Sequence, residues 1–153
     1  MATNEFPFPQ ADDIDKILKV ISVSDEKNLT NKAAMAIWLG DITDRQVQYY
    51  ISACQYLGFI TKDKTFTELG NGIRSLTESQ QCIELARVIV SHEVFGTVYF
   101  QEKLLGAKFS REEIVELMKH YIELGTPEMF WRRSQTVIKW VEWINNTFND
   151  SID

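Results

Sequence analysis

A chain of 153 residues with 44% hydrophobic and 25% charged residues suits one compact domain, or two small ones sharing a core, of ordinary soluble globular composition. With 16 Lys and Arg against 22 Asp and Glu, the formal net charge is -6, which argues against nucleic-acid binding by bulk electrostatics and leaves local basic faces to be examined. No apolar run reaches the roughly 18–20 residues that span a bilayer, and MATNEFPFPQ lacks the basic start and apolar stretch of a signal peptide. A cytoplasmic protein without membrane association is expected.

Residues 1–11, with Phe6-Pro7-Phe8-Pro9, predict an extended arm, because proline restricts both itself and the residue before it. Asp12 or Asp13 then caps a helix in which Ile14, Ile17, Leu18 and Ile21 share one face. After the polar break DEKNLT, NKAAMAIWLG predicts a short helix with Ala33, Ile37 and Trp38 as its apolar side and Gly40 as its C-cap. DITD is a turn, and Thr43 or Asp44 caps the helix DRQVQYYISACQYL, which stops at Gly58. Phe59, Ile60, Thr65, Phe66 and Thr67 favour strands around the tight polar turn TKDK. Helix, helix, turn, helix and hairpin is the order of a winged helix-turn-helix.

The C-terminal half predicts helices only. ESQQCIELARVIVSHEVFG turns Cys82, Ile83, Ala86, Ile89 and Val90 inward, and TVYFQEKLLG is short. SREEIVELMKHYIELG opens with Ser110 and Glu113 at capping-box spacing, ahead of an apolar stripe of Ile114, Leu117, Met118 and Tyr121. The last helix starts with Thr126 as cap and Pro127 at its first position, and is the longest and most aromatic. The expected fold is therefore mainly α: a winged helix-turn-helix over residues 12–75 with a small β-hairpin wing, and a helical subdomain over 76–153.

The helices at Arg45 and Arg132 resemble each other. With Arg45 placed over Arg132, Gln48 meets Gln135, Ile51 meets Ile138, Tyr56 meets Trp143 and Leu57 meets Ile144. Shared amphipathic spacing produces such matches by chance as well as by duplication. If the repeat is real, the second unit is a wingless helix-turn-helix.

Arg45, Gln46, Gln48 and Tyr49 form the first candidate site. Arg can grip guanine and Gln adenine bidentately, and a helix N-terminus favours phosphate. A solvated helix start with tyrosines packed on the wing explains the same residues. Arg132, Arg133, Gln135 and Lys139, beside Trp131, Trp140 and Trp143, form the second candidate, in which the tryptophans are expected to be core. The arginines either grip phosphate or pair with acids such as Glu128. Lys62 and Lys64 at the wing tip would touch backbone if DNA is bound, although charged turns are common in any case.

Enzyme signatures are lacking. His92 and His120 have no neighbouring ligand at metal spacing, and Cys54 and Cys82 sit in helical patterns as buried free thiols. No phosphate loop, nucleophile elbow or His-Glu-x-x-His motif occurs. Neither catalysis nor a cofactor is expected, and the loose grouping Asp25-Glu26-Lys27 has no strand pattern around it to hold a metal ion.

DRQVQYYISACQYLGFI, the Thr-x-x-Gly stretch FTELGNGI and RRSQTVIKWVEWI together resemble a bacterial winged-helix domain that accompanies type II restriction endonucleases and AAA-class ATPases. The resemblance covers residues 12–146 and is most specific at Arg132, Arg133, Thr136, Trp140, Trp143 and Ile144. It implies a double-stranded-DNA-binding or target-recognition module of a restriction-modification or defence system, with cleavage left to a fused or partner endonuclease. The alternative is a protein-interaction or homodimerisation module on the same scaffold.

Overall fold

The computed structural model describes residues 6–149 and resolves the chain into two compact units, residues 1–84 and 85–153. The first unit holds α1 (Ile14–Ile21), a 3₁₀ turn (Glu26–Thr30), α2 (Lys32–Trp38), α3 (Asp44–Tyr56), α4 (Glu68–Arg74) and the start of α5 (Glu78–Ser91). The second holds the rest of α5 with α6 (Glu93–Leu105), α7 (Arg111–Tyr121) and α8 (Pro127–Asn149). The division falls inside α5.

Local side-chain chemistry sets the helix starts. The Asp13 carboxylate accepts the Asp15 N–H at 2.9 Å and begins α1. Thr43 and Gln46 close a reciprocal capping box at α3, and Ser110 and Glu113 do the same at α7. Thr126 accepts from the Met129 N–H at 3.3 Å, ahead of Pro127. Between α2 and α3 the chain reverses through Gly40, at φ 97°, where a left-handed backbone carries no Cβ penalty.

In the first unit α3 lies against α1 and α2. Its buried apolar residues are Val47, Tyr50, Ile51, Ala53 and Cys54, and Ile17, Ile21, Met35, Leu39 and Leu57 are buried in the same unit. The face expected of α2 is corrected. Met35 and Leu39 point inward, whereas Ile37 is 71% and Trp38 41% exposed. Almost every residue of α2 is apolar, so its pattern carries no phase. In α5, likewise, Leu85 and Ile89 are the fully buried residues and Ile83 is exposed.

The N-terminal arm is extended but not free. Phe8, Pro9 and Ala11 are buried, and the Phe8 ring meets Tyr56 edge-on at 5.7 Å. Residues 1–5 of the expected arm lie outside the described residues.

The hairpin wing is also corrected. Among the described residues there is no strand, only a single antiparallel bridge between Ile60 and Phe66. It is flanked by Thr61 N–H to Thr65 O at 2.7 Å and Thr67 N–H to Phe59 O at 3.0 Å. The arm cannot lengthen because Thr67 is already the N-cap of α4, its hydroxyl accepting the Gly70 N–H at 2.9 Å. The chain leaves bridge geometry one residue after Phe66. The outward N–H of Phe66 donates to the Glu26 carboxylate at 2.6 Å.

Arg74 then ties α4 to the end of α1. One guanidinium nitrogen donates to Ile21 O at 2.6 Å and Val23 O at 2.8 Å, and the group lies over the Phe66 ring at 4.2 Å. Carbonyls left open at the end of a helix thus receive a charge-assisted donor.

In the second unit α8 packs on α6 and α7. Trp140 is its centre, fully buried and stacked on Phe95 with centroids 4.7 Å apart. Gly96 lets α6 approach so closely that a Cβ there would overlap the Val90 carbonyl oxygen.

Candidate nucleic-acid interface

The first candidate group stands on the side of α3 turned away from its core. Arg45 and Gln46 are exposed, and Gln48 and Tyr49 are partly so. Arg45 Nε donates to the Tyr49 hydroxyl at 2.6 Å, with the guanidinium over that ring. Residues four apart on a helix are neighbours, so this pair holds the arginine upright along the helix.

The other members have structural duties. Gln46 spends its side-chain oxygen on the Thr43 N–H at 3.0 Å, inside the capping box. Its amide is therefore not free to swing toward a base edge without releasing the helix start. The spacing Thr43-x-x-Gln46 carries that signal in the sequence. Gln48 donates to the Ser52 hydroxyl at 2.9 Å and accepts from Lys64 Nζ at 3.4 Å.

Lys64 is thus drawn onto α3, whereas Lys62 is exposed at the tip of the 61–65 turn. Gln55, the buried polar residue of α3 at 8% exposure, donates to Thr61 O at 3.0 Å and fixes the other end of the same turn. Asp44 opens α3 with an acid. That suits the helix dipole and opposes a phosphate at this N-terminus.

The three tyrosines divide their tasks. Tyr49 steadies Arg45, and Tyr56 packs on Phe8. Tyr50 is buried, and its oxygen accepts the Asp13 N–H at 3.1 Å. Burial raises the Tyr50 pKa. Cys54 is fully enclosed and desolvation pushes its thiol far up, while half-buried Cys82 is shifted the same way by burial, with Glu78 and Asp15 adding to it. Neither has the electropositive setting of a reactive thiol. Among the described residues no cluster of three or more His, Cys, Asp or Glu is placed to hold a metal ion, and no helix is long and apolar enough to cross a membrane.

On α8, Arg132 is exposed, Arg133 and Gln135 are partly buried, and Lys139 is exposed 4.0 Å from Glu142. Trp140 is core and Trp143 half-buried, but Trp131 departs from the expectation, being 44% exposed. The sequence offers no sign of its partner, Arg111 from α7. Arg111 Nε donates to the Ser134 hydroxyl at 2.8 Å, Nη2 donates to Trp131 O, and the guanidinium lies 4.1 Å over the Trp131 ring.

The two helices share a burial phase. The pairs Val47/Ser134, Tyr50/Val137, Ala53/Trp140, Cys54/Val141 and Leu57/Ile144 are all buried, and Arg45 and Arg132 are both exposed. Their starts do not coincide: Arg45 is the second residue of α3, whereas α8 begins at Pro127, five residues before Arg132.

Residues 16–149 match the family model described as Domain of unknown function (DUF7226), which is most of the chain, so the protein belongs to that family. No curated protein and no solved structure matches it.

Proposed function

We propose that this member of the DUF7226 family is a duplex-DNA recognition module that reads its target with α3. One observation carries the proposal. The outer face of α3 presents Arg45, braced by Tyr49, with the 61–65 turn held beside it through Lys64 to Gln48 and Thr61 to Gln55. A helix with an ordered cation and a basic turn at its flank has the outline of a recognition helix with a much-shortened wing. The resemblance of the α3 and α8 motifs supports a restriction-modification or defence setting, with cleavage residing in a fused or partner endonuclease. Arg45 is assigned to base edges and Lys62 to phosphate. Arg132, Arg133, Gln135 and Lys139 are assigned to backbone contacts, and Gln46, Gln48 and Tyr49 to holding the reading face in shape.

In fluorescence anisotropy with a random-sequence duplex pool at low salt, binding is expected to weaken as salt rises. After selection of a preferred site, Arg45→Ala should cost about 1–3 kcal/mol on that site and much less on the pool. Lys62→Ala should weaken both equally. Absence of binding to any duplex at low salt overturns the proposal.

A second reading, association between copies of the chain, is favoured by the end of α6, where Phe100, Leu104 and Leu105 are all exposed, Leu104 at 78%. It predicts a dimer in light scattering that Leu104→Glu converts to monomer and Arg45→Ala leaves intact. A wild-type monomer at high concentration removes this reading.

A further inference from the structure

We infer that the groove between α7 and α8 is a nucleotide subsite, stacking a base on Trp131 and holding its phosphate with Lys119 and Arg132. The groove, largely open to solvent, has a volume of roughly 750 Å³ and is lined by Arg111, Val115, Lys119, Pro127, Glu128, Trp131 and Arg132. Three of these side chains are cationic and one is a carboxylate, in a protein whose overall charge is -6. A local excess of cations against that background selects an anion.

The aromatic member narrows the anion. Trp131 has one face under the Arg111 guanidinium and is 44% exposed. Arg111 is itself held by Ser134 and the Trp131 carbonyl, so ring and guanidinium form one braced unit ready before a ligand arrives. A planar base can extend that stack. Lys119 makes a loose exposed pair with Glu116 at 3.4 Å and lies 5.9 Å from the Phe130 ring centroid, interactions worth little at an exposed position, and can turn to a phosphate. Glu128 disfavours a bare, highly charged anion and is compatible with a base donor at the rim. A planar ring joined to a phosphate meets all of these features, whereas an acidic peptide uses the cations and adds no ring to the Arg111–Trp131 stack.

The inference shares Arg132 with the proposed duplex backbone contacts but needs no base reading by α3. Its test uses the full chain with fluorescein-labelled oligo-dT, competed by AMP, by inorganic phosphate and by polyglutamate. Oligo-dT is expected to bind, and Trp131→Ala to weaken it by roughly 5- to 150-fold, the range set by loss of one base stack. Arg132→Gln should lower the salt slope by about 0.7, one single-strand phosphate contact. Competition by AMP identifies a free nucleotide as sufficient, and binding of oligo-dT without it identifies a nucleotide within a strand; either supports the subsite. Should Trp131→Ala unfold, Lys119→Gln with Arg132→Gln, both at exposed positions, tests the same groove. Absence of oligo-dT binding, or competition by phosphate or polyglutamate as good as by oligo-dT itself, overturns the subsite. Trp131→Ala should leave the Arg45-dependent preference for the selected duplex site intact, so failure here and failure of the α3 proposal are distinguishable.

Discussion

Gly70→Ala is expected to destabilise the first unit by roughly 3 kcal/mol or more, at the upper end of overpacking costs. Gly72→Ala, two residues on in the same helix, is expected to be neutral or stabilising by about 0.5–1 kcal/mol. A Cβ at Gly70 would overlap the Phe59 carbonyl oxygen and stand 3.0 Å from its carbon, whereas Gly72 has nothing within 4 Å. The obstacle at Gly70 is backbone, and that backbone is already held by the Thr67 N–H on Phe59 O and the Thr67 hydroxyl on Gly58 O at 2.6 Å. It cannot yield without breaking the only bridge among the described residues. The Thr-x-x-Gly stretch thereby acquires a mechanical meaning. Thr67 caps α4 and pins the turn, and Gly70 lets the helix sit on it. Urea unfolding followed by circular dichroism checks the pair; equal effects at the two glycines would show that the close approach is not what matters.

The second large effect is expected at Trp140. Its truncation to Ala removes a fully buried indole and the stack on Phe95, at a cost of about 3–5 kcal/mol with a collapsed near-ultraviolet dichroism signal. Trp140→Phe keeps a ring against Phe95 and should cost much less. Trp143, half-buried, is the internal comparison, and its truncation should be the milder of the two alanine changes. A smaller loss at Trp140 than at Trp143 would move the centre of the second core away from the α6–α8 stack.

Much of this architecture was legible from local chemistry. Asp13, Thr43, Ser110 and Thr126 announce helix starts because capping depends on residues within one turn of each other. The inward placing of Ile14, Ile17 and Ile21 on α1 follows from spacing. What failed depended on phase or on distant partners. In α2 the apolar residues run almost without a break, so periodicity could not tell Met35 from Ile37. The wing was overread because β propensity at Phe66 and Thr67 says nothing of the helix cap that Thr67 serves a residue later.

At the site, the exposure of Arg45 and Arg132 was foreseeable, and the structural duty of Gln46 was written in its spacing from Thr43. The clasp between Arg111 and Trp131 was not, since it joins two helices by a tertiary contact that no local pattern encodes. An arginine in the first turn of α7 looks like any solvated helix residue until α8 is laid beside it.

The bond from Phe66 to Glu26 has a consequence for assembly. In an antiparallel pair the N–H groups that do not face the partner are the ones a third strand would recruit. Here that donor is held by a carboxylate from the 3₁₀ turn at 2.6 Å. The bridge is therefore closed at the position where strand addition would start, either by a peptide or by another copy of the chain. Among the described residues, the one bridged pair thus has its outward Phe66 donor already engaged within the chain.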